Sequence, residues 1–373
     1  MVDPALRQLA LRTLLGAFPG TAPPDWALRL LDDGLAGYVL FGYNITARDQ
    51  LGELVAALRE ARADVIVGID EEGGDVTRLA HATGSPYPGN AALGAVDDPE
   101  LTRRVHQAIG TELYALGISL NIAPSVDVNT SDDNPIIGTR AFGGDPELVA
   151  RHAAAAVRGL REAGIAGCAK HFPGHGATVT DSHDELPTVD VPLATLRRRE
   201  LVPFAAAITA GVPAVMTAHI RIPQLTGDLP ATLSPTVLTD LLRGELGFTG
   251  AVVTDALEMR GACAEIGIPE AAVRSLAAGA DLLCIGAEVD EELVESVAAA
   301  ICAAVREGRL DADRLEQAAA RTAELANPAP PVDAAADDAT LGVRAARQAL
   351  RIEGRLPALR SPGSPPGPRV VQV

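Results

Sequence analysis

Short apolar runs alternate with helical patterns along most of this chain, and this alternation restricts the fold more than any other feature. Seven runs have the length and apolar character of buried strands: 37–44, 64–70, 117–128, 164–171, 213–220, 250–256 and 281–286. Strands that are apolar on both faces and joined by helices indicate a parallel sheet with both faces covered. Seven or eight such units predict an α/β protein with a (β/α)8 TIM-type barrel, regular or irregular.

Helical patterns fill the segments between these runs. They cover 47–62, 98–116, 145–163, 193–210, 235–245, 269–278, 288–307 and 311–326. The first 18 residues predict an amphipathic helix, because they lack the basic start and apolar core of a signal peptide.

The composition changes near the C-terminus, and this change divides the chain. We expect residues 1–327 to form the barrel and residues 328–373 to form a linker and a C-terminal extension, which is either a tail or the start of a shortened second domain. Around and beyond this boundary, 326–338 is a linker rich in Pro, Ala and Asp, 339–352 has a helical pattern, and 361–368 is rich in turn residues.

Polar or ionisable residues stand at the ends of several predicted strands. They are Asn44, Asp70, Asp127, Lys170, His171, His219 and Asp255. In a barrel the C-terminal ends of all strands converge on the face that carries the active site. A doubly wound open sheet would use only the strands beside its switch point, and it usually carries a Gly-rich phosphate loop. The chain has no G-x-G-x-x-G spacing after a strand, so no nucleotide cofactor is predicted.

The segment 170–184, KHFPGHGATVTDSHD, holds three of the seven histidines in the chain. Pro173, Gly174 and Gly176 prevent a regular helix there, so the segment predicts a strand end followed by an irregular loop. Titratable groups clustered on a loop after a strand are what a catalytic site needs, whereas a solvated loop needs neither histidines nor special backbone.

Charge and cysteine usage exclude some partners. The net charge of −18 argues against nucleic acid or an anionic membrane surface, both of which require a basic face. The four cysteines are scattered without a C-x-x-C pair, which favours buried thiols over disulfides or metal ligands. No run reaches eighteen apolar residues. We therefore expect a cytoplasmic protein that acts on a small molecule, and the sequence leaves its oligomeric state open.

Three further motifs place charged residues at predicted strand ends or loops. Asp255 follows the run 250–254, where a carboxylate would be held rigidly at the barrel mouth, although helix N-capping is an equally common role there. Asp70 ends another strand, and Arg78 lies in the Gly-rich loop that follows it. Arg140 lies in a Pro- and Gly-punctuated loop, where a lone arginine is more often a surface residue.

Together these motifs resemble glycoside hydrolase family 3, and most closely its bacterial β-N-acetylglucosaminidase branch. The specific signature is KHFPGHG at 170–176 followed by DSH at 181–183. The E-G-G…R element, the N-P-x-I-G-x-R element and the strand ending in Asp255 follow the order of the family. The resemblance extends over about residues 5 to 330.

The resemblance implies a role for each matching residue. Asp255 is expected to be the nucleophile of a retaining mechanism, and His183 the general acid/base, with Asp181 as its orienting partner. The remaining matches are expected to bind sugar hydroxyls and the N-acetyl group: Asp70, Arg78, Arg140, Lys170 and His171. A histidine suits proton transfer because its pKa lies near neutral pH and a neighbouring carboxylate fixes its tautomer. No cofactor and no metal ion are expected.

The expected function is therefore that of a retaining exo-β-N-acetylglucosaminidase that removes terminal β-linked N-acetylhexosamine, with peptidoglycan fragments as the expected substrate. A phosphorylase that uses inorganic phosphate instead of water is the main alternative, because a histidine acid repels phosphate less than a carboxylate does. Two further alternatives are a catalytically silent sugar-binding barrel and a metal-dependent hydrolase, whose ligands would be His171, His175, Asp181 and His183. Pro173 and Gly174 between the first two histidines argue against the helical zinc motif.

Overall fold

Eight parallel strands form a nearly closed barrel surrounded by helices, which confirms the predicted (β/α)8 fold. The computed structural model describes residues 3–131, 133–178, 180, 185–332, 338 and 340–350. The strands are β1 (Leu14–Gly16), β2 (Gly37–Leu40), β3 (Ile66–Ile69), β4 (Leu120–Asn121), β5 (Ala166–Phe172), β6 (Ala214–Thr217), β7 (Ala251–Thr254) and β8 (Leu283–Cys284). Their order is β7-β6-β5-β4-β3-β2-β1-β8. A bridge between Val253 and Leu282 brings β7 to the β8 edge.

Helices separate the strands and cover the outside of the barrel. The α-helices are α1 (Pro4–Leu11), α2 (Asp25–Asp33), α3 (Arg48–Ala61), α4 (Asn90–Val96), α5 (Pro99–Ala115), α6 (Pro146–Glu162), α7 (Leu193–Arg198), α8 (Leu201–Thr209), α9 (Pro223–Thr226), α10 (Arg260–Cys263), α11 (Ile268–Ala278), α12 (Glu291–Arg306), α13 (Ala312–Ala323) and α14 (Leu341–Ala349). A π-helical segment, Thr236–Glu245, lies between β6 and β7. None of the helices in the described part of the chain combines the length and the apolar character that a bilayer crossing needs.

Two apolar layers hold the barrel together. One lies inside the ring of strands and is built from small or branched side chains, such as Val39, Leu120, Cys168 and Val253. The other lies between the strands and the helices and contains the few large aromatic rings, such as Phe172. Burial of these apolar surfaces supplies the main driving force for folding.

The N-terminal prediction is wrong in its second half. Helix α1 ends at Leu11, and Leu14–Gly16 form strand β1, which pairs with β2 on one side and β8 on the other. The local pattern favoured a continuous helix, but the barrel needs an eighth strand between β2 and β8, and tertiary pairing outweighs a weak local preference. The helix predicted over 193–210 is likewise divided, into α7 and α8.

Candidate active site

Asp70 and Lys170 form an ion pair at the mouth of the barrel, on the C-terminal ends of β3 and β5. Lys170 Nζ lies 2.8 Å from Asp70 Oδ1 and 2.7 Å from Glu72 Oε1. The lysine side chain is buried, which by itself would lower its pKa, but the two carboxylates outweigh burial and hold the pKa of Lys170 above its ordinary value. Lys170 is therefore charged and presents a rigid donor to the pocket.

The loop after β3 folds back on itself and so brings Arg78 to the pocket. Glu71 Oε2 accepts hydrogen bonds from the backbone amides of Arg78 at 2.8 Å and Leu79 at 3.0 Å. Asn121, on the neighbouring strand β4, fixes the start of the loop by bonding both the amide and the carbonyl of Glu71. Arg78 Nη2 then lies 3.5 Å from Asp70 Oδ2.

Arg140 is a partly buried partner of Glu72 rather than a free surface residue. Its Nε and Nη2 donate to the two Glu72 carboxylate oxygens at 3.1 and 2.8 Å, a bidentate pairing. Burial of Glu72 would raise its pKa, but Lys170 and Arg140 together hold the pKa far below the ordinary range. Glu72 therefore serves as the shared anion that orders both cations.

His171 lies between Arg140 and Asp127, and its two ring nitrogens have different roles. Its Nδ1 lies 2.7 Å from Asp127 Oδ2, and its Nε2 lies 3.3 Å from Arg140 Nη2. Because a guanidinium only donates, Nε2 accepts, and the ring proton sits on Nδ1 and points at Asp127. Asp127 thus fixes the tautomer and the orientation of His171.

Asp127 also shapes the loop that follows β5. Its Oδ1 accepts from the backbone amide of His175 at 2.6 Å, and its Oδ2 accepts from Ser125 Oγ at 3.0 Å. Burial raises the pKa of Asp127, but His171, His175 and these hydrogen bonds outweigh it, so the pKa lies below its ordinary value. His175 Nδ1 lies 2.6 Å from Thr178 Oγ1. This contact and the bond from the His175 amide to Asp127 fit a loop-shaping role for His175.

Asp255 follows β7 directly and lies at the same end of the barrel. Burial raises its pKa, but His219, His171, a hydrogen bond from the Ala256 amide and Lys170 together outweigh burial, and the pKa lies below its ordinary value. The Ala256 amide donates to Asp255 Oδ1 at 2.8 Å. Asp255 is therefore an ionised carboxylate at neutral pH, which is the state a nucleophile needs.

His219, at the end of β6, supports this position. Its Nε2 donates to the Ala256 carbonyl at 3.0 Å, and its Nδ1 lies 2.8 Å from Thr232 Oγ1. His219 thereby fixes the backbone immediately after Asp255 and lies close enough to lower the pKa of that carboxylate.

The structure brings six of the eight predicted site residues to one end of the barrel. These six are Asp70, Arg78, Arg140, Lys170, His171 and Asp255. The predicted acid/base pair, Asp181 and His183, lies outside the described residues.

Three residues of the candidate site were not assigned a role from the sequence. Asp127 and His219 stood at predicted strand ends, which was a sufficient signal to include them. Glu72 carried no such signal, because it lies two residues beyond a strand end within an E-G-G turn. Its role depends on Lys170 and Arg140, which lie 98 and 68 residues away in the chain.

The fold and the site define a barrel glycoside hydrolase. The chain belongs to glycosyl hydrolase family 3: the family description "Glycosyl hydrolase family 3 N terminal domain" matches residues 11–325.

Relatives and solved structures agree with this membership. A β-hexosaminidase from Stenotrophomonas maltophilia (strain K279a) is 40% identical over 277 residues, which is 72% of this chain and 81% of that protein. β-Hexosaminidase A from Pseudoalteromonas piscicida is 34% identical over 86% of this chain, and the chain spans only 58% of its length. A family 3 β-N-acetylglucosaminidase structure from Paenibacillus sp. str. FPU-7 superposes with a TM-score of 0.86 at 40% identity, covering 94% of this chain and 70% of the other.

Proposed function

We propose that the protein is a retaining exo-β-N-acetylglucosaminidase. The observation that carries the proposal is the position of Asp255 directly after β7, where its ionised carboxylate lies near His171 and Lys170 of the paired charges at the barrel mouth. An ionised carboxylate beside the anomeric carbon forms the glycosyl-enzyme, and a second group protonates the leaving oxygen and later activates water. Relatives at 40 and 34% identity are named β-hexosaminidases, which supports an N-acetylhexosamine as the sugar.

The remaining roles follow from the contacts. Asp70 Oδ1 and Oδ2 are both paired with cations, so the carboxylate is oriented to accept from sugar hydroxyls while Lys170 and Arg78 donate to them. Asp181 and His183 are proposed as the acid/base pair on the basis of the D-S-H sequence after the signature. Peptidoglycan fragments ending in N-acetylglucosamine are the substrates that this proposal predicts.

The charges of the site favour water over phosphate as the acceptor. Within the described residues of the site, the cations Arg78, Arg140 and Lys170 are all paired with carboxylates. Four carboxylates share the space: Asp70, Glu72, Asp127 and Asp255. This part of the site offers no excess of positive charge, which an incoming phosphate would require.

The contacts of His171, one of the four candidate metal ligands, argue against the metal-dependent hydrolase. His171 uses both ring nitrogens, one to donate to Asp127 and one to accept from Arg140, so neither lone pair is open to a metal ion.

The test is a product assay on an aryl β-N-acetylglucosaminide with and without millimolar phosphate. We expect free N-acetylglucosamine in both cases and an Asp255→Asn variant at least about 10³-fold slower, because loss of a nucleophile removes the covalent route. A fluorinated slow substrate should label Asp255, as read by peptide mass spectrometry. N-acetylglucosamine 1-phosphate as the main product would replace hydrolysis by phosphorolysis, and a label on another residue would overturn the assignment of Asp255.

The acid role of His183 has a separate signature. His183→Ala should slow glycosides with poor leaving groups by about 10²-fold or more, while activated aryl glycosides, which need little protonation, should lose much less. His81→Ala is the matched control: His81 is an exposed histidine whose Nδ1 donates to the Arg78 carbonyl, so any loss there acts through the sugar-binding loop and should be the same for both classes of leaving group. Equal losses for both leaving-group classes in His183→Ala would contradict an acid role.

A further inference from the structure

An exposed aromatic stack lies at the barrel mouth beside the proposed site. The chain contains only six Phe, four Tyr and one Trp, and most of them are needed for the core. Tyr43 nevertheless exposes 47% of its surface in the turn after β2. Its ring stacks on Phe41 with centroids 5.4 Å apart and planes 17° from parallel.

The exposed ring is held rigidly. Tyr43 Oη donates to the Ala287 carbonyl at 2.8 Å, in the loop after β8. Asn44 ties the turn to the loop after β1 by donating to the carbonyls of Phe18 at 2.9 Å and Gly20 at 2.6 Å, and it accepts from the Phe41 amide at 2.9 Å. A ring that is ordered before binding loses little conformational entropy when a ligand covers it.

On one side the stack contacts the loop after β8, which in turn contacts the loop after β7. Ala287, which accepts from Tyr43, donates its own amide to Glu258 Oε1 at 2.6 Å, and Glu258 lies three residues after Asp255. A single connected path of contacts therefore runs from the Tyr43 ring to the loop of the proposed nucleophile.

The stack also borders the sugar-binding loop on its other side. A Cβ on Gly42 would lie 3.3 Å from the His81 ring, so the turn and the β3 loop are in contact. His81 Nδ1 donates to the Arg78 carbonyl at 3.0 Å. The platform thus lies between the loop after β8 and the loop that carries Arg78.

We propose that the Phe41–Tyr43 stack is a binding platform for the leaving-group sugar of a β-linked oligosaccharide. One face of a pyranose ring presents only C–H groups, and the face of an aromatic ring carries the negative end of its quadrupole, so the two faces attract and exclude water. A single N-acetylhexosamine fills the charged pocket in this arrangement, and the next sugar lies over the aromatic rings. This inference rests on the proposed function and adds the class of leaving group.

The test compares two substrates that differ only in the leaving group. One is the β-1,4-linked disaccharide of N-acetylglucosamine and the other is methyl β-N-acetylglucosaminide. Tyr43→Ala should lower the ratio of kcat/KM for the disaccharide to that for the methyl glycoside about tenfold, as truncation of a central aromatic contact does. Tyr43→Phe, which keeps the ring and loses the hydroxyl, should keep this ratio within about twofold.

Tyr114→Ala is the matched control, because Tyr114 is 46% exposed on α5. It should leave both substrates unchanged, and circular dichroism should give all variants the wild-type spectrum and melting temperature within a few degrees. The proposed platform would be wrong if Tyr43→Ala lowered kcat/KM equally for both substrates. It would also be wrong if Tyr43→Phe lowered the ratio as much as Tyr43→Ala does.

Failure of the proposed function gives a different result. If the wild-type protein cleaves neither substrate, the proposed glycosidase activity is refuted. The platform is then tested by calorimetric binding of the same disaccharide to the wild type and to Tyr43→Ala. A Kd about tenfold weaker in the variant supports it, and an unchanged Kd overturns it.

Discussion

Buried charges at the barrel mouth stay ionised because each has direct partners of opposite sign. Glu72 contacts two cations, Lys170 and Arg140, and its pKa is lowered despite complete burial. Glu200, between α7 and α8, is the contrasting residue. Its side chain is fully buried against the turn at Gly174. Among the described residues, Oε1 pairs with the cation Arg199, and Oε2 has no hydrogen-bond partner. Burial raises the pKa of Glu200 to about 7.

This raised pKa makes the stability of the protein depend on pH. The folded state holds the Glu200 proton more tightly than the unfolded state, so the stabilisation is complete below the unfolded pKa of 4.5 and is lost as the pH rises through about 7. The loss amounts to about 3 kcal/mol at most. Glu200→Gln should therefore match the wild type near pH 5 and exceed its free energy of unfolding at pH 8 by about 1–3 kcal/mol.

Urea denaturation at the two pH values measures this difference. Glu245→Gln is the control, since Glu245 is a partly exposed glutamate paired with Arg197 whose pKa is lowered, and it should show no change between pH 5 and 8. A difference between Glu200→Gln and the wild type that does not grow with pH would contradict the raised pKa.

At the scale of the elements, the two ends of the strands have different roles. The C-terminal ends carry the site, and the opposite end carries a charge cluster around Asp281, which precedes β8. Arg243 donates to Asp281 Oδ2 at 2.5 Å, and Arg314 and Arg321 contact Oδ1. These bonds join β8 to the π-helical segment and to α13, so they stabilise the closure of the barrel and are remote from the chemistry.

Strand length was the element property that the sequence predicted least well. The run 117–128 is apolar enough for a long strand, yet β4 contains only Leu120 and Asn121. Beyond Asn121 the pairing becomes irregular but continues: the Ile122 amide donates to the Ile69 carbonyl at 2.8 Å, and Ser125 forms an isolated parallel bridge with Lys170. Apolar character reports burial, and a buried irregular segment has the same composition as a buried strand.

At the scale of the whole molecule, the described parts of the C-terminal extension contact the barrel at two places. Pro331 lies against Gly164, just after α6 ends, and the Val332 amide donates to the Glu162 carbonyl at 3.0 Å. Helix α14 then packs on α4 and on the loop after β3, where a Cβ on Gly342 would lie 1.9 Å from the Pro86 carbonyl oxygen. The extension therefore contacts the loop that carries Asp70 and Arg78.

This contact predicts an effect on substrate binding. Tyr87, next to Pro86, accepts from the Gly74 amide at 2.9 Å, so a displacement of α14 is transmitted to the sugar-binding loop. Gly342→Leu should overpack the contact at a cost of about 1–3 kcal/mol and should raise KM several-fold with a smaller change in kcat. Val343→Ala, at an exposed position of the same helix, is the control. A lower melting temperature with an unchanged KM would limit α14 to a purely structural role.

The sequence by itself determined the barrel and the end of it that carries the chemistry. Alternating apolar runs and helical patterns are local properties of the chain, and the strand-end positions of Asp70, Lys170 and Asp255 follow from them directly.

Only the tertiary structure decided which groups became partners. Glu72 contacts Lys170 and Arg140, and Tyr43 contacts Ala287, across separations of 68 to 244 residues. Such pairings depend on how the closed sheet brings distant loops together, and no local periodicity records them. They fix the ionisation of the site and the exposure of the aromatic stack, because both depend on burial and on the nearest partner rather than on residue type.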